Sequence, residues 1–117
     1  MTTTVNFNLV VTFPTPTTAT FTYYQNGNQV EGDITVTCEE NVVYTLQDSP
    51  GVTFVAPTVT NDPHANLSHT ISDDGQVLTI HDSDQNEETI CVVLNVKNPA
   101  NGATVPSPDP QYRNIPR

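Results

Sequence analysis

Residues 67–82, with the sequence LSHTISDDGQVLTIHD, decide the fold of this chain. Two runs in which apolar and polar side chains alternate flank the dipeptide Asp74-Gly75. Asp-Gly between such runs is a strong signal for a β-hairpin, because the type I′ turn needs positive φ at both of its central residues. With Asp74-Gly75 in this turn, Ser72 pairs with Val77 and the register of the two strands follows. We therefore predict an antiparallel hairpin over this stretch.

The register assigns each hairpin side chain to one of two faces, since neighbouring residues of a strand point in opposite directions. Ile71 lies opposite Leu78, and His69 lies opposite Ile80. The predicted inner face consists of Leu67, His69, Ile71, Leu78 and Ile80. The predicted outer face consists of Ser68, Thr70, Ser72, Thr79 and His81. The hairpin is therefore expected to pack on a core with one face and to meet water with the other.

The same alternation continues along most of the chain, and no stretch shows helical periodicity. The further predicted strands cover residues 5–13, 19–24, 33–38, 42–46, 52–55 and 89–97, with a bent continuation over residues 56–60. We expect the first strand to end at Pro14. Seven or eight short strands at regular spacing predict an all-β, antiparallel, immunoglobulin-like sandwich without substantial helix. Its predicted core comprises Val5, Phe7, Leu9, Val11, Phe13, Phe21, Tyr23, Ile34, Val36, Tyr44, Leu46, Phe54, Ile71, Leu78, Ile80, Val92 and Leu94.

The composition changes after Lys97. Residues 98–117, here called the Pro-rich tail, hold Pro99, Pro106, Pro108, Pro110 and Pro116, and the whole chain has 10 prolines. Proline lacks a backbone N–H and interrupts helices, so the tail is expected to be extended. The sequence thus predicts a sandwich domain over residues 1–97 and an extended C-terminal tail over residues 98–117.

The chain is strongly acidic, with a formal net charge of −10. Its three basic residues are Lys97, Arg113 and Arg117, so the chain before Lys97 contains no Lys or Arg. Such a surface repels phosphate groups, which argues against binding to nucleic acid or to an anionic membrane. It is suited to attract a cation or a basic protein partner, and the alternative interpretation is a surface whose charge only keeps the protein soluble.

The two cysteines are expected to be reduced thiols. Cys38 shares a strand face with Val36, whereas Cys91 is out of phase with Val92, so the two point in different directions. Met1 is followed by neither a basic segment nor an apolar run, and we therefore expect no secretory signal and a cytoplasmic protein.

One acidic stretch near the end of the hairpin is a candidate calcium site. Asp82, Asp84, Asn86 and Glu88 place oxygen-bearing side chains at alternate positions, which suits a hard cation. The stretch lacks the glycine and the closing glutamate of an EF-hand loop, so an acidic hairpin loop without metal is the alternative interpretation. No other cofactor is expected.

Other site chemistry has little support in the sequence. His64, His69 and His81 are scattered, and the last two lie on opposite faces of the predicted hairpin. No nucleophile, metalloprotease or phosphate-loop motif occurs, so we expect a protein without enzymatic activity. A hydrolase built on clustered carboxylates remains the least favoured alternative.

The Pro-rich tail is the main candidate for interactions. Tyr112, Arg113, Ile115 and Arg117 combine positive charge with apolar surface, and the rest of the chain is negative. The tail is therefore suited to lie along an acidic sheet edge of its own subunit or of a neighbour. This favours a protein-interaction or self-association module, including a homo-oligomer; a solvated tail without a binding role is the alternative interpretation of the tail. The alternative is a sandwich that binds calcium or carbohydrate through Asp82, Asp84, Asn86 and exposed Tyr side chains.

Residues 107–116, with the sequence SPDPQYRNIP, resemble the C-terminal segment of the DP-EP family, a group of short bacterial proteins. The family is named for its Asp-Pro and Glu-Pro dipeptides. Here Asp109-Pro110 provides the first dipeptide, and Ile115-Pro116 stands in the place of the second. The resemblance implies a sandwich fold, carries no established activity, and assigns no catalytic residue to this chain.

Overall fold

A computed structural model describes residues 2–108 and 111–115, and all of its regular elements are β-strands. The strands are β1 (Thr3–Thr15), β2 (Thr18–Gln25), β3 (Asn28–Val30), β4 (Ile34–Val36), β5 (Glu40–Leu46), β6 (Thr53–Thr60), β7 (Leu67–Ile71), β8 (Val77–Asp82), β9 (Glu88–Lys97), β10 (Thr104–Pro106) and β11 (Gln111–Asn114). The all-β prediction is confirmed. Within the described residues no helix is long and apolar enough to span a membrane.

The strands form two sheets that pack face to face as a sandwich. The first sheet has six strands in the order β3-β2-β1-β5-β8-β7. The second has the order β10-β9-β11-β4, with β6 paired to the other side of β9. The strand β9, apolar on both faces, therefore lies inside its sheet, as expected for such a sequence. The immunoglobulin-like topology stays a prediction.

The predicted hairpin is present as β7 and β8 with the predicted register. Ile71 pairs with Leu78, and His69 pairs with Ile80. The turn type is different from the type I′ turn that we expected. Gly75 has φ +73° but Asp74 does not have positive φ, and the Gly75 N–H donates to the Ser72 carbonyl at 2.9 Å. This is a type I turn followed by a left-handed glycine, and it preserves the register.

The expectation of purely antiparallel sheets is wrong for two strand pairs. β1 runs parallel to β5, with Phe7 beside Tyr44, and β11 runs parallel to β4, with Tyr112 beside Ile34. The first strand also continues past Pro14 to Thr15, with a register shift against β2 between Thr12 and Thr15. Alternation of side chains is the same in parallel and antiparallel strands, so it could not indicate the pairing direction.

The core lies between the two sheets, where most of the predicted inner positions are buried; Val5, Phe13, Phe21, Ile34 and Ile71 are half-buried at its margin. Leu9, Tyr44 and Leu78 of the first sheet have no exposed surface, nor do Val92 and Leu94 of the second. Phe7 stacks on Tyr44 with ring centroids 5.3 Å apart, and both rings contact Tyr23 edge-on. Such ring pairs add to the stabilisation from buried area. His69, which we predicted on the inner face, is exposed, because β7 is the edge strand of its sheet.

Two segments of the Pro-rich tail are strands of the second sheet. β10 pairs with β9 at the Val105–Val96 position, and β11 lies between β9 and β4. Val105 and Tyr112 are both buried in the common core. Residues 104–106 and 111–114 of this chain therefore dock on the sandwich of the same chain.

Candidate functional site

The sandwich has two ends of opposite character. At one end β1 and β5 begin, while β8 and β11 finish; we call it the acidic pole. It contains a buried acidic cluster, formed by Glu40, Asp82, Asp84 and Asn114, each at most 8% exposed. At the other end of β1 lies an apolar cleft. The two ends are described in turn.

Strand pairing brings the buried acidic cluster together. Glu40, the first residue of β5, pairs with Asp82, the last residue of β8. Asn114, the last residue of β11, reaches Asp82 from the opposite sheet: its Nδ2 donates to Asp82 Oδ1 at 2.9 Å. The Asp84 backbone N–H donates to the same oxygen, also at 2.9 Å. One carboxylate oxygen of Asp82 therefore connects both sheets and the loop after β8.

The environment of the cluster disfavours negative charge. Burial raises the pKa of Asp82 to about 6, and the nearby Asp84 and Asp62 carboxylates act in the same direction. Burial also raises the pKa of Glu40, and the negative charge of Asp84 raises it further. The pKa of Asp84 is itself raised by burial. Removing water from a carboxylate penalises its ionised form, and like charges nearby increase the effect.

The loop between β8 and β9 is held in place by Asn66, which is 3% exposed. Its Nδ2 donates to Asn86 Oδ1 at 3.1 Å and to Glu88 Oε2 at 3.4 Å. Its Oδ1 accepts hydrogen bonds from the Ser83 hydroxyl and the Gln85 N–H. This one amide fixes a loop that has no regular structure, and Asp84 in that loop adopts φ +51°.

The four residues of the candidate calcium site do not form one group. Asp82 and Asp84 are neighbours in the buried cluster, whereas Asn86 and Glu88 are hydrogen-bonded to Asn66. Across residues 2–108 and 111–115, no three His, Cys, Asp or Glu side chains are arranged to hold a metal ion. The sequence analysis missed Glu40 and Asn114, which pairing between distant strands brings to Asp82.

None of the histidines or cysteines belongs to the buried acidic cluster, although the Thr3 hydroxyl contacts both Cys38 Sγ at 3.6 Å and Glu40 Oε2 at 3.0 Å. His81 contacts Asn41 Oδ1 at 2.7 Å and Glu39 Oε2 at 3.0 Å on the outer face of the first sheet. His64 lies 4.0 Å from Glu88. Cys38 and Cys91 are free and half-buried. Three of the four tyrosines are buried, which leaves Tyr24 as the one half-exposed ring for carbohydrate.

The predicted interaction residues of the tail have different environments. Tyr112 is fully buried, and its hydroxyl hydrogen-bonds to that of Tyr44 across the two sheets. Arg113 is exposed and lines a polar hollow of about 240 Å³ with Glu87, Glu88, Thr89 and Asn114. Ile115 is half-buried. Arg117 lies outside the described residues, as does the Asp109-Pro110 dipeptide.

The apolar cleft has a volume of about 540 Å³. The end of β1 with the turn after it, the loop after β5 and the segment after β9 form its walls. Its apolar lining includes Val11, Phe13, Pro14, Pro50, Val52 and Pro99. Asp48 is the one ionisable residue among the described residues that line it. Concave, mainly apolar surfaces of this size are typical of binding sites.

Comparison with protein-family models assigns the chain to a family. The profile of the DP-EP family matches residues 5–116. The chain belongs to the DP-EP family. The match covers nearly the whole chain, so the relationship to the DP-EP family is not limited to the C-terminal motif. No curated protein matches the chain.

Proposed function

We propose that this DP-EP family chain is a non-enzymatic protein-interaction module that binds an extended segment of a partner protein in the apolar cleft. The observation that carries the proposal is the cleft itself, about 540 Å³ in volume and lined mainly by proline and other apolar side chains. Exposed prolines are rigid, so a surface built from them loses little conformational entropy on binding. The two cysteines of the chain, Cys38 and Cys91, are free thiols, which suits a protein of the reducing cytoplasm.

The chemistry of the cleft supports binding and gives little basis for catalysis. General acid–base catalysis needs a titratable group within reach of the reacting atom, and usually a second group of the opposite role. Asp48 is the one such group lining the cleft within the described part of the chain. The paired carboxylates of the buried acidic cluster belong to the other end of the sandwich.

The negative charge of the chain favours a positively charged partner. The net charge is −10, no Lys or Arg precedes Lys97, and Asp48 lies in the cleft. A partner segment with apolar side chains and flanking Lys or Arg therefore matches the surface in both shape and charge. Complementary charge increases the association rate and makes the affinity depend on salt.

A labelled peptide tests the cleft directly. The probe is a short fluorescein-labelled peptide of alternating Pro and Leu with lysines at both ends, and its fluorescence anisotropy is measured against protein concentration. We expect Pro50→Ser and Pro99→Ser to weaken binding by about fivefold each. Pro63→Ser is the matched control, because Pro63 is exposed and does not line the cleft.

A charge variant tests the electrostatic part of the proposal. Asp48 has φ +47°, a conformation that asparagine also adopts, so Asp48→Asn keeps the fold. We expect weaker peptide binding and a smaller salt dependence for this variant. Asp73→Asn makes the same charge change at an exposed position outside the cleft. Equal affinities for all these variants would remove the cleft from the proposal.

Self-association is the second candidate, since the cleft could also receive another copy of the chain. The tail offers Arg113 at the surface, where it shares the polar hollow with Glu87 and Glu88. Truncation after Asn98 would remove β10, β11 and the buried Tyr112, so it would test folding and not docking. Sedimentation velocity over a range of protein concentrations tests self-association instead. A dimer that Pro50→Ser or Arg113→Ala dissociates would identify the second copy as the occupant.

A further inference from the structure

The buried acidic cluster contains several buried acceptor atoms that receive no hydrogen bond. Asp82 Oδ2, both carboxylate oxygens of Asp84, Glu40 Oε1 and Asn114 Oδ1 are buried, and none of them has a hydrogen-bond partner among the described residues. All five are acceptors. Buried polar atoms in native proteins are nearly always satisfied, and each exception calls for a specific explanation, such as an ion.

The cluster cannot be explained as an internal ion pair. Where the structure describes the chain, its ion pairs join His64 to Glu88 and His81 to Glu39, and neither includes a member of the cluster. The side-chain amide of Asn114 donates from Nδ2 to Asp82 Oδ1, and among the described residues this amide satisfies none of the five acceptors. Burying carboxylates without a compensating positive charge is strongly unfavourable. A bound cation would supply the missing positive charge.

We propose that the buried acidic cluster binds one divalent cation, Ca²⁺, with Asp82, Asp84 and Asn114 as its protein ligands. Oxygen ligands alone indicate a hard cation, and Ca²⁺ accepts irregular sets of carboxylate and amide oxygens together with water. Mg²⁺ requires a near-ideal octahedron and retains more of its own water.

This ligand set uses two acids only, and the residues that the structure describes hold no site of three acids. Two carboxylates and one amide oxygen hold the ion, and water completes its coordination. Glu40 stands beside Asp82 in the strand register and contributes negative charge. The ligands come from β8, the following loop and β11. Since β8 and β11 belong to different sheets, the ion would join the two halves of the sandwich.

Calcium titration of the full chain tests this site. An ion that binds only the native state must stabilise it, so the melting temperature should rise with CaCl₂ concentration. At saturation we expect a rise of about 5 °C or more, and a calorimetric stoichiometry of about one ion per chain. NaCl at matched ionic strength and MgCl₂ are the controls for general screening and for selectivity.

Asp84→Asn is the first variant. Asp84 has φ +51°, which asparagine tolerates, so the variant keeps the loop conformation. We expect it to lose at least about tenfold in calcium affinity, because ligand charge sets affinity in such sites. Asp73→Asn is the matched control: it removes the same charge from an exposed turn and should bind calcium as the unchanged chain does.

Asn114→Asp separates a metal site from a merely strained cluster. A third carboxylate should tighten calcium binding by about fivefold or more, while lowering the melting temperature in the presence of a chelator. If the site binds no ion, this variant would be less stable with and without calcium. That result, or a melting temperature of the unchanged chain that calcium and sodium raise equally, would overturn the proposal. Failure of peptide binding in the cleft would leave it unaffected.

Discussion

The hydroxyl of Tyr112 on β11 is hydrogen-bonded to the hydroxyl of Tyr44 on β5, and both side chains are fully buried. The bond connects strands of opposite sheets whose residues lie far apart in the sequence. Burial raises the pKa of both phenols above the usual value, so both remain protonated and available as donors.

We expect Tyr112→Phe to destabilise the chain by about 1–3 kcal/mol, because it leaves the Tyr44 hydroxyl buried without this partner. The reciprocal Tyr44→Phe should behave in the same way. Tyr44→Phe combined with Tyr112→Phe should cost less than the sum of the two, since both polar groups are then absent. Urea unfolding of the four proteins measures the coupling. Strict additivity would show that the hydrogen bond contributes nothing, and Tyr24→Phe is a control at a half-buried ring.

Gly75→Ala is expected to destabilise the hairpin turn. Gly75 has φ +73°, and a Cβ there would lie 2.8 Å from Cβ of Thr53 on the opposite sheet. The Gly75 carbonyl also accepts the Phe54 N–H at 2.8 Å, so the turn cannot easily move away. Backbone strain alone costs about 1 kcal/mol, and the clash should add about 1–3 kcal/mol.

Gly27→Ala is the matched control for that variant. Gly27 has φ +79°, but nothing lies within 4 Å of a Cβ at this position. Thermal unfolding of both variants therefore separates the cost of the left-handed backbone from that of the contact. Equal losses in the two variants would contradict the proposed docking of the turn on Thr53.

The Asp74 carboxylate is expected to make the free energy of unfolding depend on pH in a defined direction. Hydrogen bonds from the Ser72 hydroxyl at 2.6 Å and the Gln76 N–H at 3.0 Å hold the pKa of Asp74 below its usual value. A lowered folded-state pKa means that the stabilisation is fully present above the unfolded-state pKa and is lost as pH falls through the folded-state pKa. Asp74→Asn should therefore be less stable than the unchanged chain at pH 7, and the difference should vanish in acid.

Urea unfolding between about pH 7 and pH 2 checks this expectation. Asp73→Asn, a substitution at the neighbouring exposed carboxylate, is the control, because Asp73 takes part in neither of these two hydrogen bonds. A difference between Asp74→Asn and the unchanged chain that persists in acid would show that the carboxylate charge is not the cause.

Ser49 hydrogen-bonds to the backbone of β1 beyond Leu9, where the pairing of β1 with β5 ends. Its hydroxyl accepts the Val11 N–H at 2.8 Å and donates to the Gln47 carbonyl at 2.8 Å. Ser49→Ala should cost about 1–3 kcal/mol, because the Val11 N–H is then buried without an acceptor. Ser68→Ala, on the exposed edge strand, should change the free energy of unfolding by less than about 0.5 kcal/mol. Equal stability of the two variants would contradict this role of Ser49.

The sequence predicted local features better than long-range ones. The register of Ile71 against Leu78 follows from a turn signal and from alternation, both of which are local. The parallel pairing of β1 with β5 depends on which distant strands meet, and alternation carries no information about that. The exposure of His69 likewise depends on its strand being at the edge of the sheet.

The candidate site was predictable in part. In β8 the even-numbered residues Leu78 and Ile80 point into the core, and Asp82 and Asp84 follow at the same spacing. Alternation therefore indicated that both carboxylates point inward. Their acidic character favoured a solvated loop in the sequence analysis. The role of Asn114 could not be predicted, because nothing local indicates that β11 enters the second sheet beside β9.

The position of β11 makes β4 dependent on it. β4 is at the edge of its sheet, and its described strand pairing is with β11 alone. When β11 detaches, β4 loses its backbone partner in the same event, so amide protons in both should exchange with deuterium at one common rate. Native-state exchange would then reveal a unit of local unfolding assembled from two segments that are remote in sequence.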